Sequence, residues 1–355
     1  MSQFKYRSGL VVGKFSPLHA GHQYLISTAA SQCEHLTILN YSNPSLPGCD
    51  AEERRFWLSN FCAEFSNVSL HILEDDLPDN DAPASKHRAF CAEFLLYDLE
   101  ISVDVVFSSE DYGDDFAFYL STYFSLHFSN VAFKNVTTVR HVCLDKSRIK
   151  FPISGTDIRS NPQKFASFLS PTVLSSFIPR VAVLGGESSG KSTLVDDLAL
   201  KTGFPGVPEY GRQLYDELGG ALRYEDMVKI AGQQISLERE ATINLPAANK
   251  PVLFCDTTPL TTAFYSQCLF NRVSTKLQKA ANRSYDFYVL CSNDIPFCQD
   301  GTRKDDEFRN YGYLFYKDWL KENGHPFIEV SGSRQQRVQQ VLDWIKAPRK
   351  LSEQN

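Results

Sequence analysis

Two short segments carry residue types suited to handling phosphate, one near the N-terminus and one just past the middle of the chain. The first runs Gly-Lys-Phe-Ser-Pro-Leu-His-Ala-Gly-His from Gly13 to His22. It sets His19 and His22 three residues apart at the start of an expected helix, so both imidazoles can face one anion where the helix dipole also favours negative charge. Gly13 permits a tight turn after a strand, Pro17 stiffens it, Lys14 adds a mobile cation, and Gly13 and Phe15 are expected against the nucleotide. Such a set suits adenylyl transfer to a phosphate acceptor. The nucleophile is already an anion and the leaving group is pyrophosphate, so positioning and charge neutralisation do most of the work.

The second segment, Gly185-Gly186-Glu187-Ser188-Ser189-Gly190-Lys191-Ser192, fits G-x-x-x-x-G-K-[ST], with an apolar strand before it and a helix after it. Backbone N–H groups from Glu187 through Thr193 would cradle phosphates, Lys191 would bridge the β- and γ-phosphates, and Ser192 would hold Mg²⁺. Asp256, at the end of the apolar run from Val252 to Cys255, is the natural second ligand for that ion; a strand-end Asp can equally cap the next helix. Glu209 should end a neighbouring strand and accept a proton from a substrate hydroxyl, with Tyr210 offering an aromatic face and Arg212 a cation. The polar stretch Gln299 to Arg309, with Gly301, Arg303, Lys304 and Arg309, reads either as a lid closing cations over the transferring phosphate or as a solvated loop.

A third segment belongs with the first. In Ile153-Ser154-Gly155-Thr156-Asp157-Ile158-Arg159 the hydroxyls of Ser154 and Thr156 can bind phosphate or cap the following helix, and Arg159 can clamp β- and γ-phosphate oxygens. Alone, Ser-Gly-Thr is an ordinary helix start; beside the histidine loop it reads as the other half of a triphosphate site.

These residues need parallel sheets to position them. Strands are expected at Leu10 to Val12, His35 to Leu39, Val68 to Leu73 and Val103 to Phe107, with helices after Gly21, after Asp50 and around Ala89 to Leu96. After a Pro- and Ser-bearing linker the pattern resumes. It gives a strand from Val181 to Leu184, the phosphate loop and its helix to Lys201, a long helix from Tyr224 to Ile243, the Asp256 strand and a last strand from Phe287 to Leu290. Two helices are expected around Phe327 to Val330. The fold class is α/β, two doubly wound parallel-sheet domains, spanning 1–169 and 181–355 with a linker at 170–180.

Bulk composition sets the limits. With 355 residues, 43% apolar and 22% charged, each domain can bury a core, and a net charge of −6 gives no general attraction to nucleic acid or anionic membranes. The nine cysteines show no CxxC pair or zinc-ligand spacing, so reduced thiols in a cytoplasmic protein are expected. No signal segment or membrane-length apolar run is present in the sequence.

The paired segments GKFSPLHAGH and ISGTDIR resemble the signatures of the HxGH nucleotidyltransferases, whose fold is a Rossmann-like sheet. The resemblance carries Lys14, His19, His22, Ser154, Thr156 and Arg159 over as triphosphate ligands. With GGESSGKSTLV, the Glu-Tyr-Gly-Arg of 209–212, Asp256-Thr257 and the Asp-Gly-x-Arg of 300–303, nearly the whole chain is similar to the NadR-type bifunctional enzymes. That likeness implies a nicotinamide mononucleotide adenylyltransferase followed by a P-loop ribosylnicotinamide kinase, both using ATP and Mg²⁺. It also places Trp57, near Arg54 and Arg55, in the wall of the first site, and Arg303 at the second nucleotide. Some members begin with a helix-turn-helix domain, for which the strand at Leu10 leaves no room, so no nucleic-acid partner is expected. Pro208 and the short lid leave the kinase acceptor open, and the oligomeric state is open too. An HxGH enzyme of another substrate, such as phosphopantetheine, fused to a nucleotide-sensing P-loop module is the alternative reading.

Overall fold

The computed structural model describes residues 4–127, 138–243, 245, 250–299 and 304–347. The chain divides into two compact units, Met1–Phe177 and Ile178–Asn355.

In the first unit five parallel strands, β1 (Tyr6–Gly13), β2 (Cys33–Asn40), β3 (Val68–Ile72), β4 (Val105–Ser108) and β5 (Arg140–Cys143), lie in the order β3-β2-β1-β4-β5. Strand alternation sends neighbouring residues to opposite faces. Val11, Ile38 and Phe107 pack in one core, while Leu10, Leu39 and Val106 pack in the other. The strand order reverses direction between β1 and β4, and that crevice, at the carboxyl ends of the strands, is where a doubly wound sheet binds ligands. Both phosphate segments of this unit lead towards it. Asp50 caps the helix Ala51–Cys62 by accepting from the Glu53 N–H at 2.9 Å. The helix expected around Ala89 begins earlier, at Ala84, and continues past Glu93 into a π-helical turn, Phe94–Asp98. Sequence periodicity missed β5 and the helix Gly113–His127.

The second unit repeats the architecture with β6 (Arg180–Leu184), β7 (Gly206–Val207), β8 (Leu253–Asp256), β9 (Phe287–Cys291) and β10 (Phe327–Val330), all parallel, in the order β10-β9-β6-β8-β7. Ala182, Leu184, Cys255 and Leu290 face one core; Val181, Val183, Phe254 and Val289 face the other. The segment Phe327–Val330 is itself a strand, with the helices Asp306–Glu322 and Arg334–Lys346 on either side, so β9 is not the last strand.

The segment expected as linker is structured. Pro171–Ser175 is a short helix capped by Ser170, and Val173 and Phe177 pack into the first unit's core. All nine cysteines are free thiols. No helix among the described residues is long and apolar enough to cross a membrane.

Candidate active sites

A cavity of about 640 Å³ opens at the crevice of the first sheet and is lined by Gly13, Lys14, Phe15, His19, His22, Ser154, Thr156 and Arg159, among others. The structure therefore brings together the two segments that the sequence separates. The His19 and His22 rings stack with centroids 3.7 Å apart, and the Phe15 and His22 rings meet nearly perpendicular with centroids 5.0 Å apart. Burial lowers the His19 pKa to about 4, helped by the Arg148 charge, and burial with the neighbouring His19 charge holds His22 well below the usual histidine range. Both rings are thus neutral near pH 7. Their Nδ1 atoms are buried with no hydrogen-bond partner among the described residues.

Arg159 reaches back across the site, donating to the Ser16 carbonyl and, at 3.1 Å, to Thr156 Oγ1. A side chain at Gly155 would start 2.7 Å from that same carbonyl, so only glycine lets the two segments meet. Ser154 is engaged in a capping box with Asp157, and Thr156 is the more exposed residue of the pair. Lys14 is exposed and its Nζ lies 3.4 Å from the Asn80 carbonyl.

Behind the loop stands a buried polar brace that sequence reasoning missed. Asn40, at the end of β2, donates to the carbonyls of Gly13 and Lys14 at 3.0 and 2.8 Å and accepts from Arg54 Nε at 2.9 Å. Arg54, 1% exposed, also donates to the Cys49 carbonyl. Trp57 is not in the cavity wall: it is 1% exposed, stacks on Phe177, and donates from Nε1 to Ser176 Oγ at 2.9 Å. The cavity lining also includes Tyr41, His87 and Tyr112, none of them flagged by a motif.

In the second unit the phosphate loop follows β6 directly. Gly190 adopts a left-handed conformation at φ 85° and heads the helix Lys191–Thr202. Lys191 Nζ lies on the loop itself, donating to the carbonyls of Gly185 and Gly186 at 3.1 and 2.8 Å, and Ser189 Oγ donates to Gly186 at 2.8 Å. Glu187 accepts from Tyr265 at 2.9 Å and from the Lys304 N–H at 2.9 Å, while Ser188 Oγ accepts from the Cys298 N–H at 3.0 Å. Ser192 and Thr193 are exposed at the first turn.

Asp256 ends β8, 3% exposed, with its Oδ1 buried and without a hydrogen-bond partner among the described residues, and Ser192 is among the groups that act on its carboxyl. Burial raises its pKa, against the pull of Lys191. Glu209 precedes the helix Tyr210–Glu217; burial and the Asp256 charge push it up to about 7, with Lys191 and Arg212 opposing. Tyr210 is half-buried and Arg212 exposed. Arg309 does not serve as a lid cation. It is 2% exposed and donates to Asn293, to the Ile295 carbonyl and to Asp306. Its own carbonyl sits where a side chain on Gly186 would have to start, 2.1 Å away, which fixes the helix Asp306–Glu322 against the phosphate loop. Arg303 and Gly301 lie outside the described residues.

The family described as AAA domain matches residues 180–337, the stretch that holds this loop and its sheet. Over 345 residues the chain is 30% identical to the trifunctional NAD biosynthesis/regulator protein NadR of Salmonella typhimurium, covering 91% of this chain and 78% of that protein. The Escherichia coli protein of the same name is 30% identical over 354 residues. This chain belongs to the NadR family. Two NadR crystal structures, one in complex with NR and one with NAD and AMP-PNP, match 99% of the chain with TM-scores of 0.57 and 0.55 at 21% identity, a likeness that establishes the common fold. In this NadR-family fold each of the two parallel sheets carries one of the two glycine-bearing loops directly after a strand, residues 13–22 after β1 and residues 185–192 after β6.

Proposed function

We propose that this chain is a two-step NAD salvage enzyme. The second unit phosphorylates ribosylnicotinamide with ATP, and the first transfers the adenylyl group of another ATP to the resulting mononucleotide. The observation that carries the reading is the pairing, in a NadR-family chain, of a cavity built from both halves of an HxGH site with a phosphate loop flanked by two perturbed carboxylates. A coupled assay tests it: ribosylnicotinamide and ATP together should yield NAD, and absence of NAD would overturn it.

In the first site an oxygen of the mononucleotide phosphate bonds to the α-phosphorus of ATP as the bond to the bridging oxygen breaks and pyrophosphate leaves. The neutral imidazoles of His19 and His22 donate hydrogen bonds to developing charge on phosphate oxygens, and Lys14 and Arg159 neutralise the leaving group. In the second site an acceptor ribose hydroxyl bonds to the γ-phosphorus as ADP leaves, and its proton passes to Glu209. The orphaned Asp256 Oδ1 beside Ser192 fits a divalent cation, so these two residues would hold Mg²⁺. When bound, the ion neutralises phosphate charge. Nine reduced thiols support a cytoplasmic location.

The carboxylates divide the labour in a way that pH and Mg²⁺ can separate. Glu209 must be ionised to accept a proton, so kcat/KM for the nucleoside should fall as pH drops through about 7. Glu209→Gln should lower turnover and abolish that acid limb while Mg²⁺·ATP binding stays near normal. Asp256→Asn should instead shift the Mg²⁺ response. Loss of nucleotide affinity in Glu209→Gln with normal Mg²⁺ dependence in Asp256→Asn would reverse the assignment. The same raised pKa has a stability sign: the folded state keeps a proton that the unfolded chain releases, so Glu209's contribution weakens as pH rises from the usual carboxylate range through about 7.

A further inference from the structure

The first cavity holds a cation that no motif marks. Its lining contains four, Lys14, Arg88, Arg148 and Arg159. Arg88 is paired with Asp115 at 3.1 Å, and Arg159 is committed to the Ser16 carbonyl and Thr156. Arg148 differs from both. Its side chain is 49% exposed, and its charge partner among the described residues is Glu110, whose carboxylate stands 3.6 Å away, beyond a normal hydrogen bond.

The backbone around Arg148 is fixed even though the side chain is loosely held. Asp145 takes hydrogen bonds from the N–H groups of Lys150 and Phe151, each at 3.0 Å, and its carbonyl accepts from the Arg148 N–H at 2.8 Å. Arg148 itself sits in the left-handed region at φ 49°. Lys150 lies over the Tyr24 ring at 3.6 Å, tying the turn to the helix that begins with the histidine loop. The turn thus holds one long cation at the wall shared with His19 and His22, whose protonation its charge already opposes.

Resting on the proposed adenylyl transfer, we infer that Arg148 is a further catalytic residue, one that exchanges Glu110 for the β- and γ-phosphates of ATP and for the departing pyrophosphate. A triphosphate brings several negative charges into a site whose two histidines are neutral, and a guanidinium can meet phosphate oxygens with two parallel donors. Glu110, 3.6 Å away, is the weakly held anion that a phosphate would displace. Adenylyl transfer itself needs no proton from Arg148. Its role is charge neutralisation as the bond from the α-phosphorus to the bridging oxygen breaks.

The test uses the full chain with Arg148→Ala and Arg148→Lys, assayed for NAD formation from the mononucleotide. Arg148→Ala is expected to raise KM for ATP and lower kcat so that kcat/KM for ATP falls by about 10²-fold. KM for the mononucleotide should hold, and Arg148→Lys should recover part of the loss because it restores charge without the fork. Wild-type ATP kinetics in Arg148→Ala would overturn the assignment, as would a loss confined to KM for the mononucleotide. A second readout is independent of the acceptor: Mg²⁺·ATP should protect the backbone amides of residues 13–25 from hydrogen exchange. If the wild-type chain makes no NAD, the adenylyl-transfer reading fails. Arg148 is still judged by whether the ATP concentration for half-protection rises at least about tenfold in Arg148→Ala. An unchanged concentration overturns it.

Discussion

Replacing Lys191 with alanine is expected to lower ribosylnicotinamide phosphorylation by about 10³-fold while NAD synthesis from added mononucleotide continues at nearly the wild-type rate. The Lys191 ammonium rests on the carbonyls of Gly185 and Gly186, which holds it at the phosphate loop. Removing it takes away the cation that meets the γ-phosphoryl group as its charge redistributes; the exposed Lys304 has its ammonium over the Phe308 ring, 4.2 Å from the centroid. The first site keeps all its residues on the other side of the Phe177 and Ile178 division. Measuring the two half-reactions separately checks both claims. A parallel loss of both activities would show that the sites do not work independently.

His22→Ala is expected to cut adenylyl transfer by about 10²-fold or more, since one preorganised donor to developing charge is typically worth about 3 kcal/mol. The ring is held between His19 and Phe15, and burial keeps it neutral, so its N–H is available without reorganisation. Ribosylnicotinamide phosphorylation should be unaffected, which also serves as a check on folding. Adenylyl transfer at the wild-type rate would mean that His22 contributes packing and not catalysis.

What could be read from sequence and what could not follows a physical line. Strand, glycine loop and helix are local, and both phosphate loops announce themselves within ten residues or fewer. The short strands β5 and β10 did not, because Arg140 and Cys143 are exposed at the ends of one and Glu329 interrupts the apolar pattern of the other. Each is defined by its parallel partner, β4 or β9, more than by its own pattern. The resemblance implies Trp57 in the site wall, yet helical spacing turns Trp57 and Arg54 inward together while Arg55 faces out to Glu74. Arg309 lies in a polar stretch that looks solvated; only the helix beginning after Asp305 carries it under the phosphate loop. Arg148 has no local signature, because its significance comes from a turn that folds next to a loop far away in sequence.

Trp57 has one consequence outside catalysis. The chain has three tryptophans, and Trp319 and Trp344 both belong to the second unit, so Trp57 is the first unit's single indole. It is packed on Phe177 and bonded to Ser176, the last residues of that unit. In a chain with Trp319 and Trp344 replaced by phenylalanine, all tryptophan fluorescence would come from this one position. Its emission would shift to the red as soon as water reached the ring. The colour of that light would report whether the first unit's C-terminal residues stay docked during turnover.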